Sequence, residues 1–153
     1  MLERLRRLLP ALWAGVLLCI AAITAPAAFA LLERADAGRL VGRFFAQEAW
    51  LSLALAVLLL AIERGRARAT AAAGQGSVLS SNMLLLLGTL FCTVAGYFAL
   101  QPMMAAARAG QGSLSFGQLH FISAGFFALK GLLVLALAWR AARPVGLSPA
   151  PSS

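Results

Sequence analysis

Polar side chains are scarce in this sequence, and most of them recur at helical spacing. His120, Ser123, Phe127 and Lys130 are separated by three, four and three residues, so one helical face carries an imidazole, a hydroxyl and an amine. Thr89, Thr93, Tyr97 and Gln101 recur every four residues, with Asn82 seven before Thr89, and Glu48 and Ser52 are again four apart. In an apolar setting such groups turn inward, because lipid offers them no partner. Glu48 and His120 are the natural acid–base pair. His120 with Met103 and Met104 forms a soft donor set able to hold Cu(I), and a His120 from each of two protomers would serve haem.

Depth adds a second pattern. Counted from the ends of their spans, Glu48, Gln101 and His120 each lie about five residues in, with Pro26 and Pro102 at a similar level. One polar or helix-breaking feature per helix then meets in a single layer, where prolines kink the helices and free backbone carbonyls around a wet cavity. Each feature also has a plainer role. Threonine stripes hold membrane helices together, a lone histidine is hydrogen-bonded in a core, methionines fill gaps, and Lys130 extends its stem towards Tyr97, Thr93 or water. Gly88, Cys92 and Gly96, spaced by four, make a small-residue stripe for close helix contact.

The elements that carry these residues follow from composition. Of 153 residues, 61% are hydrophobic and 12% charged, and mean hydropathy is +0.87. A soluble domain carries about twice that charge. The stretches 8–32, 69–107 and 109–129 hold no charge at all, and each exceeds the roughly 18 residues of a membrane span. The expected fold is therefore all-α: an integral membrane four-helix bundle in one domain, residues 1–142. Its spans fall at about 10–32, 44–63, 82–107 and 115–139, followed by a disordered tail at 143–153. Pro10 suits the first turn of the first span, and Ser115 with Gln118 reads as a capping box opening the fourth. Only 14 uncharged residues separate Glu48 from Glu63, so the second span must start near Phe44. The preceding segment, 36–45, is amphipathic and expected to lie on the outer surface before the chain turns in.

Twelve of the 13 basic residues are arginines in short segments between apolar runs. That distribution marks topology and anionic lipid, and it argues against nucleic acid. Eight arginines (Arg4, Arg6, Arg7, Arg64, Arg66, Arg68, Arg140, Arg143) lie on one side and four (Arg34, Arg39, Arg43, Arg108) on the other. Both termini are thus expected in the cytoplasm, with the protein multi-pass in the bacterial inner membrane. Ala28-Phe29-Ala30 imitates a signal-peptidase site, but the run before it is about twice the 7–15 residues of a signal h-region and is read as a retained span. Cys19 and Cys92 sit in apolar runs and read as packing residues, and the Gly-Gln-Gly-Ser stretch at 74–77 as a flexible loop.

Leu12-Trp13-Ala14-Gly15, Ala25-Pro26, Phe29, Ala37-Gly38-Arg39, Phe44-Phe45, Pro102, and Phe116-Gly117-Gln118-Leu119-His120 with Ser123 stand in an order that carries a resemblance. Over about residues 10–140 the chain resembles the transmembrane protein 205-like family, catalogued in bacteria as domain-of-unknown-function family 4149. The resemblance implies a four-span membrane protein with His120, Ser123 and the prolines as motif positions. It points loosely to handling of metal-containing compounds. Phe127 departs from it, standing where many relatives are expected to have Asn.

No nucleotide loop, triad or zinc cluster is present, so no enzymatic activity and no cofactor are expected. Two functions are compatible with the pattern. The first is a small membrane protein that handles or transports a small solute, metal-containing or not, through the layer of Glu48, Gln101 and His120. It would work as a homodimer, since four spans make a thin bundle. The second is an accessory subunit or chaperone whose polar stripes dock on membrane-protein partners, with no solute path.

Overall fold

The computed structural model describes residues 1–74 and 79–143. The expected flexible loop at 74–77, apart from Gly74, and the expected disordered tail at 143–153, apart from Arg143, lie outside the described residues. Four helices, each long and apolar enough to cross a membrane, account for nearly all the rest: α1 (Leu2–Leu31), α2 (Arg34–Ala72), α3 (Ser81–Arg108) and α4 (Phe116–Ala142). There is no strand among the described residues. This is an all-α, multi-pass membrane architecture.

Local chemistry places the ends. Ser80 caps α3 by accepting from the Met83 N–H, and Ser115 and Gln118 form the expected capping box at the start of α4. The turn between α3 and α4 needs backbone that only glycine adopts easily: Gly110 and Gly112 have φ of +74° and +98°.

Two boundaries differ from the sequence reading. Helix α1 begins eight residues before Pro10, which sits buried inside it rather than in the first turn. Helix α2 runs unbroken for 39 residues, so 36–45 forms its first turns and no bend occurs near Phe44. At 1.5 Å per residue α2 is about 58 Å long, well beyond a hydrocarbon core of roughly 30 Å, so it projects past that core.

Successive helices pack as antiparallel neighbours, and α1 also packs along α4, which closes the bundle. One apolar core lies in the arginine-rich half and draws on all four helices: Trp13, Ala14, Leu17, Ala56, Leu59, Leu86, Val134 and Leu137. The half with the two short connections is built differently. There Ala28 packs on Ala37 and Val41 between α1 and α2, while Leu100 and Met104 pack on Leu119 between α3 and α4. The bundle is thus a common base carrying two separate hairpins.

Both prolines expected to kink helices follow a widened turn. A π-helical segment, Ile20–Thr24, precedes Pro26, and a second, Val94–Ala99, precedes Pro102. A proline ring clashes with the carbonyl four residues back, here those of Ala22 and Phe98, and both carbonyls fall inside the widened turns that relieve the clash.

Candidate functional site

Helices α2 and α4 are diagonal in the bundle, yet a side chain from each crosses its axis. Lys130 Nζ donates to Glu48 Oε1 at 2.8 Å and to Oε2 at 2.7 Å, and both residues are 3% exposed. One turn further along α2, the Ser52 hydroxyl donates to Glu48 Oε1, and Trp13 Nε1 on α1 donates to Ser52 Oγ at 2.9 Å. Towards the short-loop end, Phe45 and Phe127 meet edge to face with centroids 5.0 Å apart. They lie three residues before Glu48 and Lys130, so an aromatic lid covers the pair. The Lys130 ammonium stands 5.0 Å from the Phe127 centroid. The site is therefore three layers: aromatic lid, ion pair, and a Trp–Ser hydrogen bond resting on the apolar core.

This arrangement corrects the expected layer. Glu48 does not lie level with His120 and Gln101. Because α2 starts at Arg34, Glu48 lies fourteen residues after its first residue, and Lys130 lies fourteen after Phe116 at the start of α4. Both are about 21 Å from the short-loop end, and that shared depth makes the pair. His120 is exposed and stacks on the Phe116 ring, whose centroid is 4.4 Å from the Arg108 guanidinium. Gln101 and Tyr97 are half-buried and make no hydrogen bond among the described residues, and the Tyr97 ring meets Phe98.

The soft donor set is also not assembled. Met104 is buried against Leu100 and Leu119, whereas Met103 and His120 are exposed, and adjacent helical residues point about 100° apart. No group of three or more His, Cys, Asp or Glu side chains able to hold a metal occurs among the described residues.

Ser123 has a different role from a site hydroxyl. Its Oγ donates to the Gly96 carbonyl at 2.6 Å, inside the π turn of α3. A Cβ on Gly96 would collide with Cβ of Phe126, and one on Gly88 would reach 3.0 Å from Leu133 Cδ1. With Cys92 buried between them, the small-residue stripe does let α3 and α4 approach closely, while Cys19, read as packing, is exposed. The threonine stripe does not join helices. Thr89 donates to the Leu86 carbonyl and Thr93 to the Thr89 carbonyl, within their own helix.

A second polar cluster, at the arginine-rich end, was missed in the sequence. Glu63 is 5% exposed and accepts from Asn82 Nδ2 at 3.4 Å and from Arg6 Nη1 at 3.5 Å. Arg140 Nε donates to Asn82 Oδ1 at 2.8 Å, and Glu3 pairs with Arg6 at 2.9 Å and Arg66 at 2.8 Å. The hydrogen bond from Arg6 holds the Glu3 carboxyl below the usual carboxylate range. All four helices are tied here, around a cavity of about 10 Å³. The available signal was period: Glu48, Ser52, Ala56, Leu59 and Glu63 are spaced by four, four, three and four, one face of α2.

Among the described residues, no buried side-chain nitrogen or oxygen lacks a hydrogen-bond partner. The ion pair is thus complete within the chain. Breaking it requires a change that neutralises one of the two charges or offers one of them a new partner: a proton, a charged solute, or another helix.

Searches of curated proteins and of solved structures return no match. A family model does match, over residues 8–113, which takes in Trp13, Glu48, Ser52, Glu63, Asn82 and both π turns but stops short of α4. The match covers more than half of the sequence, and the chain belongs to the family described as Domain of unknown function (DUF4149).

Proposed function

We propose that this protein handles a small charged solute in the inner membrane, with Glu48–Lys130 as a latch between its two hairpins. The single observation that carries this reading is the ion pair itself. Burying two charges costs several kcal/mol per ion, and well-packed apolar residues are often as stable or more so, so packing alone gives little reason for it. Ionisable groups inside a membrane bundle are working groups by default. The surroundings agree: the latch joins α2 of one hairpin to α4 of the other, directly below the separately packed half. Each hairpin also contains one π turn followed by proline, a place where helices bend. A solute entering between the hairpins would part Phe45 from Phe127 and exchange its own charge for one side of the latch. The reading is non-enzymatic, needs no resident cofactor, and puts solute entry at the outer face. The resemblance to the transmembrane protein 205-like family, with its metal-containing compounds, gives one class of solute to include.

The test is a thermal-unfolding screen of purified protein against small carboxylates, amines, phosphate and metal complexes. A solute at 100 times its Kd stabilises by about 2.7 kcal/mol. Wild type and Phe127→Ala should both respond to a solute that leaves Glu48→Gln and Lys130→Met unmoved. A response that survives in both latch variants removes the latch from solute handling.

A second reading, an accessory protein docking on partner helices, is favoured by the complete internal satisfaction of the polar core. In that case no solute in the screen shifts wild type, and the latch serves only to fix the bundle.

Orientation follows from the eight-to-four arginine split, with both termini cytoplasmic. A reporter active only in the cytoplasm should give signal when fused at either end. Signal at one end alone would mean an odd number of crossings and would overturn the four-span topology.

A further inference from the structure

Between the latch and the short-loop end, the two hairpins leave open space. Phe45 and Phe127 point at one another across the bundle axis. Seven residues bring a helix back to within about 20° of the same direction, so Gly38, seven before Phe45, and His120, seven before Phe127, face the same gap. Both stand four residues after the first residue of their helix, and hence at one depth. His120 is exposed, and no described atom lies within 4 Å of where a Cβ on Gly38 would stand. The packing agrees: the end of α1, Ala25–Leu31, lies on α2, and the end of α3, Leu100–Arg108, lies on α4. A cleft about 10 Å deep therefore leads from the level of Gly38 and His120 to the Phe45–Phe127 contact, with the ion pair one turn beneath it.

At the floor of the cleft the two charges are held unequally. Glu48 has the Ser52 hydroxyl, itself fixed by the Trp13 indole, whereas Lys130 donates to no group but Glu48 among the described residues. A solute with one charge can replace one partner, and it then strands the other at 3% exposure. A solute with both signs strands neither. We propose, resting on the latch reading above, that the cleft admits a zwitterion: an ammonium and a carboxylate held close together on an apolar body, as in an amino acid with a large apolar side chain. Lys130, on its flexible four-carbon stem, swings to the solute carboxylate, while Glu48 stays on Ser52 and accepts from the solute ammonium. One contact of 2.7 Å becomes two charge-assisted contacts of the same kind. The apolar body stays in the cleft, between the parted rings of Phe45 and Phe127.

Four probes, titrated against the full chain in a fixed detergent at neutral pH, separate the classes: L-phenylalanine, phenylpropionate without the ammonium, phenethylamine without the carboxylate, and glycine without the ring. By thermal shift, L-phenylalanine should bind at least about thirtyfold more tightly than either singly charged analogue, the usual effect of removing one partner of a buried charge pair. Glycine should bind at least about tenfold more weakly, having no apolar body to bury. Glu48→Gln and Lys130→Met should each lose the response. Because both variants weaken the fold, Gly38→Leu gives a second reading. Its side chain enters open space, so the free protein should be at least as stable as wild type, while the clash with the solute should weaken L-phenylalanine binding at least about tenfold. A response to phenylpropionate or phenethylamine as strong as that to L-phenylalanine would overturn the zwitterion and leave the latch in place. No shift with any of the probes would also overturn it, and the wider solute screen would then decide the latch alone. An equal response in wild type and both latch variants would remove the zwitterion and the latch together, and an undiminished response in Gly38→Leu would overturn the cleft as the binding place.

Discussion

Lys130→Met should destabilise the folded bundle by about 3–5 kcal/mol, the largest loss expected from any single substitution in this chain. The methionine fills most of the lysine's volume, so the loss is electrostatic rather than a cavity. Glu48 would be left as a carboxylate at 3% exposure, with the Ser52 hydroxyl as its remaining donor. Glu48→Gln should cost a comparable amount through the stranded ammonium, since Phe127 offers Lys130 only its ring. Thermal or denaturant unfolding in a fixed detergent reads both, and a loss below about 1 kcal/mol in either would mean that the residual charge finds water. Glu63→Gln, at the other buried carboxylate, leaves a polar group that still meets Asn82 and should be milder.

Gly96→Ala ranks second. The added Cβ falls on Cβ of Phe126, whose position the α4 backbone sets and no rotamer change can move, so the two helices must separate where Ser123 donates to the Gly96 carbonyl. Overpacking of this kind costs about 1–3 kcal/mol, and loss of a buried hydrogen bond adds about 1. The same substitution at Gly88 should cost less, because its neighbour is the far end of the Leu133 side chain, which can rotate aside. At Gly125, where nothing stands within 4 Å, alanine should be neutral or stabilising by up to about 1 kcal/mol through helix propensity. The order Gly96, Gly88, Gly125 is the test. A flat series would mean that α3 and α4 do not approach at this crossing.

The contrast between these residues shows what the sequence conveyed. Spans were legible because charge is excluded from them, and the Ser115–Gln118 cap because its geometry is local. The Gly88–Cys92–Gly96 stripe was legible for a similar reason, since small residues at a spacing of four announce a close crossing whatever lies opposite. The Glu48–Lys130 pair was not, although both residues had been singled out. Pairing across helices depends on where each helix starts, and an amphipathic first stretch hid the start of α2 ten residues before Phe44. An error of ten residues is about 15 Å of depth, enough to move Glu48 from Lys130 to His120. The role of Glu63 is not legible because a sequence shows a carboxylate at a span end but not the Asn82 and Arg6 that other helices bring to it. Phe127, noted as a departure where asparagine is expected, gains its meaning only from Phe45 opposite.

The central claim is that Glu48 and Lys130 act as one unit across the bundle axis. Its most direct measurement is the coupling between them, from the unfolding free energies of wild type, Glu48→Gln, Lys130→Met and the double variant in the same lipid or detergent. The predicted result is two large single losses and a double variant within about 1–2 kcal/mol of wild type, because removing both charges together strands neither. Losses that simply add in the double variant would contradict the account, since two groups that do not meet have nothing to couple.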